Sequence, residues 1–319
     1  MDTPQAMRDA VQALLPATLA GCWLFGLGAL LVLAGSIAGA VLTEWLFTAP
    51  GQRRARLADA SALLTGLLLG LTLPPSLPVW MAFTGGVVSI GLGKLVFGGL
   101  GQNLFNPALV GRAFLLGAFP VPMATWPARD DAASFTTVYN SNLALPLMHV
   151  EYDGATSATP LALMKFEQQS TGLLDLIIGN TNGCIGETSG LLLLLGGLYL
   201  LKRRDIDWRI PAGILLSAGV FALVLHLYDG ARYAGPFATS FSGGLLIGAI
   251  YMATDPVTSP LTPKGAWIFA CGIGLLVVLI RAFGGFPEGI MYAILLVNAA
   301  TPLIDRWSQP RLFGGKARL

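Results

Sequence analysis

The sequence predicts an all-α polytopic membrane protein with about ten transmembrane helices in two inverted repeats. Composition is the first observation behind this. Of 319 residues, 54% are apolar and 11% are charged, and the mean hydropathy is +0.69. Soluble domains carry about a quarter charged residues, so most of this surface must face lipid. The second observation is a succession of apolar runs near spanning length. The third is that a set of sequence elements from the first half returns in the second.

The apolar runs fall at 10–27, 29–48, 60–75, 79–97, 106–125, 187–201, 210–228, 238–254, 267–282 and 286–304. They divide the chain into a first transmembrane half, 1–125, an extramembrane loop, 126–186, and a second half, 187–319. Asp2, Arg8 and Asp9 interrupt the order of a secretory signal, so none is expected. Forty glycines suit helices that pack closely in lipid.

Basic residues orient the spans. With the N-terminus inside, the inner segments hold Arg8, Arg53, Arg54, Arg56, Lys202, Arg203, Arg204, Arg209, Lys264, Arg306, Arg311, Lys316 and Arg318. The outer segments hold only Arg129, Lys165 and Arg232, with Arg281 near the outer surface. The positive-inside rule puts both termini in the cytoplasm and 126–186 in the periplasm.

Leu63-Leu64-x-Gly66, Thr72-x-Pro74 and Pro78 return as Leu245-Leu246-x-Gly248, Thr254-x-Pro256 and Pro260, at a constant offset of 182 residues. Phe97-Gly98-Gly99 returns as Phe283-Gly284-Gly285 at an offset of 186. The two copies cross in opposite directions. Such inverted repeats place central sites at the repeat interface, where spans are short and broken by Pro or Gly. The repeat therefore predicts that Thr72–Pro74 and Thr254–Pro256 lie close together.

Cys22, Cys184 and Cys271 are far apart and form no CxxC, which argues against an iron–sulfur cluster or zinc site made by this chain. His149 and His226 are equally isolated. No GxGxxG follows a strand and no Walker sequence is present. No residue is expected to be catalytic, no metal ligand is assigned and no nucleic acid is expected as a partner. Ionisable residues inside spans are functional suspects: Glu44, Lys94, Arg112, Glu187 and Arg281. Glu187 reads as a helix start, where a carboxylate meets the positive dipole end. Asp255, beside the repeated Thr-x-Pro, is the carboxylate best placed for ion coupling.

The outer loop contains Asp153-Gly154-Ala155-Thr156-Ser157-Ala158-Thr159-Pro160-Leu161. It is a turn of small and hydroxylated residues ended by proline, open to a modifying enzyme. It resembles the flavinylation motif of the D subunit of the Rnf complex and of the related B subunit of the sodium-pumping NADH:quinone oxidoreductase. The resemblance implies that Thr159 is joined to FMN by a phosphoester, made by a periplasmic flavin transferase, with Asp153, Gly154, Ser157 and Ala158 completing the motif. Thr156 competes for the role, and the Pro-Leu after Thr159 fixes the register.

The resemblance covers nearly the whole chain. It includes Asp59 and Ser61–Gly66, where Ala60 replaces the family's asparagine. It also includes Gly98–Ala108, Thr254–Thr258, Arg281-x-Phe283-Gly284-Gly285 and Leu303-Ile304-Asp305. It implies a urea-transporter-like fold in the bacterial inner membrane. It implies an electron-relay role, not catalytic alone, in a complex that moves Na⁺ or H⁺ as electrons pass between ferredoxin and NAD. The partners implied are a second flavinylated subunit, iron–sulfur subunits and the membrane lipid. A second flavin, riboflavin, is implied within the membrane, with Asn103 and Asn106 as lining residues. The competing expectation is a stand-alone solute channel of inverted-repeat architecture, which would have no use for the Asp153–Leu161 loop.

Overall fold

The computed structural model describes residues 3–127, 135–146, 148, 158–169, 171–179, 181–187, 189–230, 232–285 and 287–309. The elements of the described residues are helical. The first, α1 (Thr3–Phe47), has Gly26 in its middle at φ 72, ψ −160, a region essentially reserved for glycine. The break removes helical acceptors, and Leu27 and Gly28 instead donate their N–H groups to the carbonyls of Phe135 and Thr137, at 2.9 and 3.0 Å. The apolar runs 10–27 and 29–48 are thus two arms of one kinked helix, broken at Gly26, two residues before the gap between them.

The chain continues through α2 (Arg53–Ala58), α3 (Ser61–Leu71), α4 (Val79–Ile90, extended by a π turn Gly91–Leu95), α5 (Pro107–Ala118) and α6 (Pro120–Ala124). Then come α7 (Pro160–Ala162, extended by a π turn Leu163–Glu167), α8 (Leu173–Ile178), α9 (Gly190–Arg203) and α10 (Arg209–Tyr228). The last are α11 (Pro236–Phe241), α12 (Leu245–Ile247, extended by a π turn Gly248–Met252), α13 (Pro263–Phe283) and α14 (Ile290–Ser308). By length and composition, α1, α10 and α13 can cross a membrane, and α3, α4 with its π turn, and α5 are shorter apolar helices.

In the first half α1 packs on α3 and α4, and α4 on α5; in the second, α10 packs on α13 and α13 on α14. Contacts of α1 with α9 join the halves. The crossings are close because small residues line them. A methyl at Gly39 would collide with the Phe83 carbonyl oxygen, and one at Gly274 with Ser217 Oγ.

Polar ties gather at two ends of the bundle. At one, Arg8 donates to the Ala58 carbonyl at 2.8 Å, Arg203 pairs with Asp9 at 2.9 Å and the Leu261 N–H meets Asp305 at 3.0 Å. At the other, Asn142 donates to the carbonyls of Pro75 and Leu77 and Lys165 to that of Gly284 at 2.5 Å. Arg281 donates there to those of Thr239 and Ser242, at 2.6 and 3.0 Å.

The two Thr-x-Pro turns are not side by side. Leu71 and Ile247 both meet Gly186, whereas Leu64 and Thr65 share a cavity with Thr254 and Pro256. The two short segments therefore run antiparallel, and Thr72 and Thr254 fall at opposite ends of the pair. Inversion exchanges the ends of a segment, so equivalent ends cannot also be neighbours along it.

Candidate functional site

Three polar clusters stand out. The first surrounds Thr159. This residue takes extended backbone, φ −71 and ψ 157, and its Oγ1 accepts from the Ala162 N–H at 3.3 Å, capping α7. Pro160 supplies the first helical position, where its missing N–H costs nothing. Thr159 is 8% exposed, so it is part of a built turn rather than the solvated loop its small neighbours predict. Ala158 precedes it outside any helix. Asp153, Gly154 and Ser157 lie outside the described residues.

Beside α7 is a cavity of about 190 Å³, lined among others by Leu161, Lys165 and Phe166 from one side and Tyr233, Thr239 and Arg281 from the other. Three cations, Lys165, Arg232 and Arg281, and two aromatic rings thus line the cavity next to α7, and Arg281 Nε is buried without a hydrogen-bond partner. The donor set suits a planar aromatic group carrying a phosphate: guanidinium and ammonium for the anion, ring faces for the aromatic.

The second cluster is a cavity of about 80 Å³ at the opposite end. Asn103, Asn106, Asp255, Thr65, Lys94 and Tyr251 are among its lining residues, so four positions singled out in the sequence, Lys94, Asn103, Asn106 and Asp255, converge. Asn106 caps α5, accepting from the N–H groups of Ala108 and Leu109 at 3.0 and 3.4 Å. Its Nδ2 donates to the Met252 carbonyl at 3.0 Å, tying the halves together. Its capacity is spent on structure. Asn103 donates to the Phe105 carbonyl at 3.2 Å, and its buried Oδ1 has no partner.

Asp255 accepts from the Val257 N–H at 3.3 Å and from Thr258 Oγ1 at 3.5 Å. Its half-buried place in the cavity wall costs it hydration and pushes its carboxyl up to about 6, against the pull of Val257, Thr258 and Asn103. Lys94, on the π turn of α4, is buried with Glu44 in an ion pair and donates to Ser61 Oγ at 2.6 Å. The sequence marks Glu44 and Lys94 singly. That they are partners, fifty residues apart, follows only from the α1–α4 crossing.

The third cluster joins Arg112 to Glu288, with Cys184 Sγ 3.6 Å from Arg112 Nη2. Glu187 Oε2 accepts from the Cys184 N–H at 3.4 Å, and ligand atoms of Cys184, Glu187 and Glu288 lie within 4.8 Å of one another. Arg112 already neutralises one carboxylate of this set. Ser189, not Glu187, caps α9. Glu288 carries no signal in the sequence, because it stands alone in the connection before α14.

The sequence pattern of the NQR2, RnfD, RnfE family matches residues 1–314. This chain belongs to that family. It is 43% identical to the D subunit of the ion-translocating oxidoreductase complex of Stutzerimonas stutzeri, over 98% of this chain and 92% of that one. It is 41% identical to the D subunit of the proton-translocating ferredoxin:NAD(+) oxidoreductase complex of Clostridium ljungdahlii, over 97% and 91%. It is also 41% identical to the D subunit of the Na(+)-translocating ferredoxin:NAD(+) oxidoreductase complex of Acetobacterium woodii, over 98% and 91%. Equal identity to a proton-translocating and a Na⁺-translocating relative means that family likeness does not choose the ion.

Proposed function

We propose that this chain is the membrane flavoprotein subunit of an ion-translocating ferredoxin:NAD oxidoreductase complex, with FMN esterified to Thr159. The reading is carried by the Thr159 turn. Its hydroxyl uses an oxygen lone pair for the cap, which leaves the O–H hydrogen to be exchanged for phosphorus. The cavity that Leu161 of the same turn lines offers Lys165 and Arg281 for the phosphate, and Phe166 and Tyr233 for the ring. FMN, when bound, supplies the redox chemistry. The chain's own residues anchor, orient and screen it, and no side chain acts as nucleophile or acid–base catalyst. Asp153, Gly154, Ser157 and Ala158 serve recognition by the flavin transferase.

The same reading extends to the rest of the chain. The apolar runs, about ten, span the inner membrane in two inverted, urea-transporter-like halves, 1–125 and 187–319, with 126–186 periplasmic and both termini cytoplasmic. The pairing of α1 with α4 and of α10 with α13 supports it. The cavity holding Asn103 and Asn106 takes the non-covalent riboflavin, Asn103 through its unpartnered Oδ1. Asp255 at its edge couples the redox state to the ion. A second flavinylated subunit and iron–sulfur subunits complete the electron path.

Co-expression with and without a flavin transferase tests the central claim. Flavin fluorescence that stays with the denatured band only when the transferase is present is the expected result. A band dark under both conditions contradicts it.

A further inference from the structure

Asn298 lies mid-way along α14 and is 0% exposed. Both its Oδ1 and its Nδ2 are without a hydrogen-bond partner. An amide buried so completely inside a membrane helix is retained only where something meets its polar atoms. Four residues on, Pro302 stands inside the same helix. Proline has no N–H to give the carbonyl of the residue four before it, so the main-chain oxygen of Asn298 is released as well. One residue thus carries a side-chain oxygen without a partner and a main-chain oxygen that the helix ladder does not use.

A polar line leads from it. Thr301, one turn further along the buried face, has its hydroxyl 3.1 Å from the Thr258 carbonyl and 3.2 Å from that of Val297. The hydroxyl thus bridges α14 to the segment that carries Thr258. Thr258 Oγ1 is 3.5 Å from Asp255, which lines the inner cavity. Asn298, Thr301, Thr258 and Asp255 therefore connect the middle of α14 to the cavity. In addition, α14 packs on the π turn that ends the broken α11–α12 span. Freed carbonyls of interrupted helices are how membrane transporters hold small cations.

We propose that Asn298 Oδ1 and its released carbonyl, with Thr301, form a binding station for a monovalent cation of the Na⁺ class on the route to Asp255. The proposal rests on the ion-translocating reading above and adds the identity of the ion. The oxygens are neutral, which disfavours Mg²⁺ and Ca²⁺, whose sites are built on carboxylates. A side-chain amide does not take up a proton near neutral pH, so the station does not serve H⁺.

The test uses the purified, assembled complex. Its thermal unfolding is followed in NaCl against choline chloride at equal ionic strength, because a ligand of the folded state stabilises it by mass action. The midpoint of the unaltered complex rises with Na⁺. Asn298→Ala and Thr301→Val raise the half-saturating Na⁺ concentration at least tenfold, and Asn298→Asp, which adds a charge, lowers it. Turnover read against Na⁺ concentration follows the same order.

An unaltered complex that responds equally to Na⁺ and choline would overturn the proposal, since the amide would then hold only water. So would variants whose turnover falls by the same factor at every Na⁺ concentration. If Asn298→Ala does not assemble, Thr301→Val and Asn298→Asp still report. Failure of the redox reading looks different: no electron transfer between ferredoxin and NAD, with Na⁺ stabilisation intact.

Discussion

Replacing Lys94 by methionine keeps the length of the side chain and removes its charge. Lys94 and Glu44 are 1% and 0% exposed, so the carboxylate left behind has neither water nor a counter-charge. Its Oε2 already lacks a hydrogen-bond partner, and no nearby donor can be recruited without repacking α1 against α4. Breaking a buried ion pair on one side costs about 3–5 kcal/mol, and the lost bond to Ser61 adds roughly 1 kcal/mol. Lys94→Met should therefore lower the unfolding free energy of the purified protein, read by SDS titration, by about 4–6 kcal/mol. Removing both charges in Glu44→Gln/Lys94→Met should recover most of that, because the desolvation cost of the pair disappears with it. Lys94→Met within about 1 kcal/mol of the parent, or a double variant as unstable as the sum of the singles, would refute this account of the pair.

Three further outcomes follow from the geometry. Gly26→Ala forces a side chain into the glycine-only region and to 2.9 Å from the Thr137 carbonyl; a loss of about 2 kcal/mol or more in the same titration is expected. Ala60 holds a left-handed φ of 60, a backbone that asparagine tolerates better than alanine; Ala60→Asn should gain roughly 0.5–1 kcal/mol. Asp255 has a folded carboxyl raised from 3.8 to about 6, so its contribution is fully present below about pH 4 and is lost as pH rises through 6. That difference is on the order of 3 kcal/mol, and Asp255→Asn should flatten the stability–pH curve over this interval.

Much of this architecture is legible from local properties. Hydropathy alone locates the helical stretches, but the α1 kink at Gly26 falls inside the apolar run 10–27, two residues before the boundary the runs suggest. The helix-capping role of Thr159 is also written locally, as a hydroxyl residue followed by Pro160. Its burial is not, since that depends on α7 folding onto its neighbours. Likewise Asn103, Asn106 and Asp255 each carry a local cue, but their meeting in one cavity is a consequence of how the halves pack. Asn298 has no motif around it. Its signal is a polar residue on the buried face of an apolar helix, four positions before a proline, and it becomes meaningful only when both amide atoms are found without partners. Glu288 and the Glu44–Lys94 pairing join residues too far apart in sequence for any periodicity to connect them.

The attachment of FMN to Thr159 is tested most directly by tryptic mass mapping of the chain produced with a flavin transferase. Thr159→Ala loses the cap of α7, at a cost of about 1 kcal/mol, and should still insert because the apolar spans are untouched. The account predicts FMN mass on the peptide containing Thr159 in the parent, none in Thr159→Ala, and full attachment in Thr156→Ala. FMN found on Thr156, or retained in full by Thr159→Ala, would contradict it.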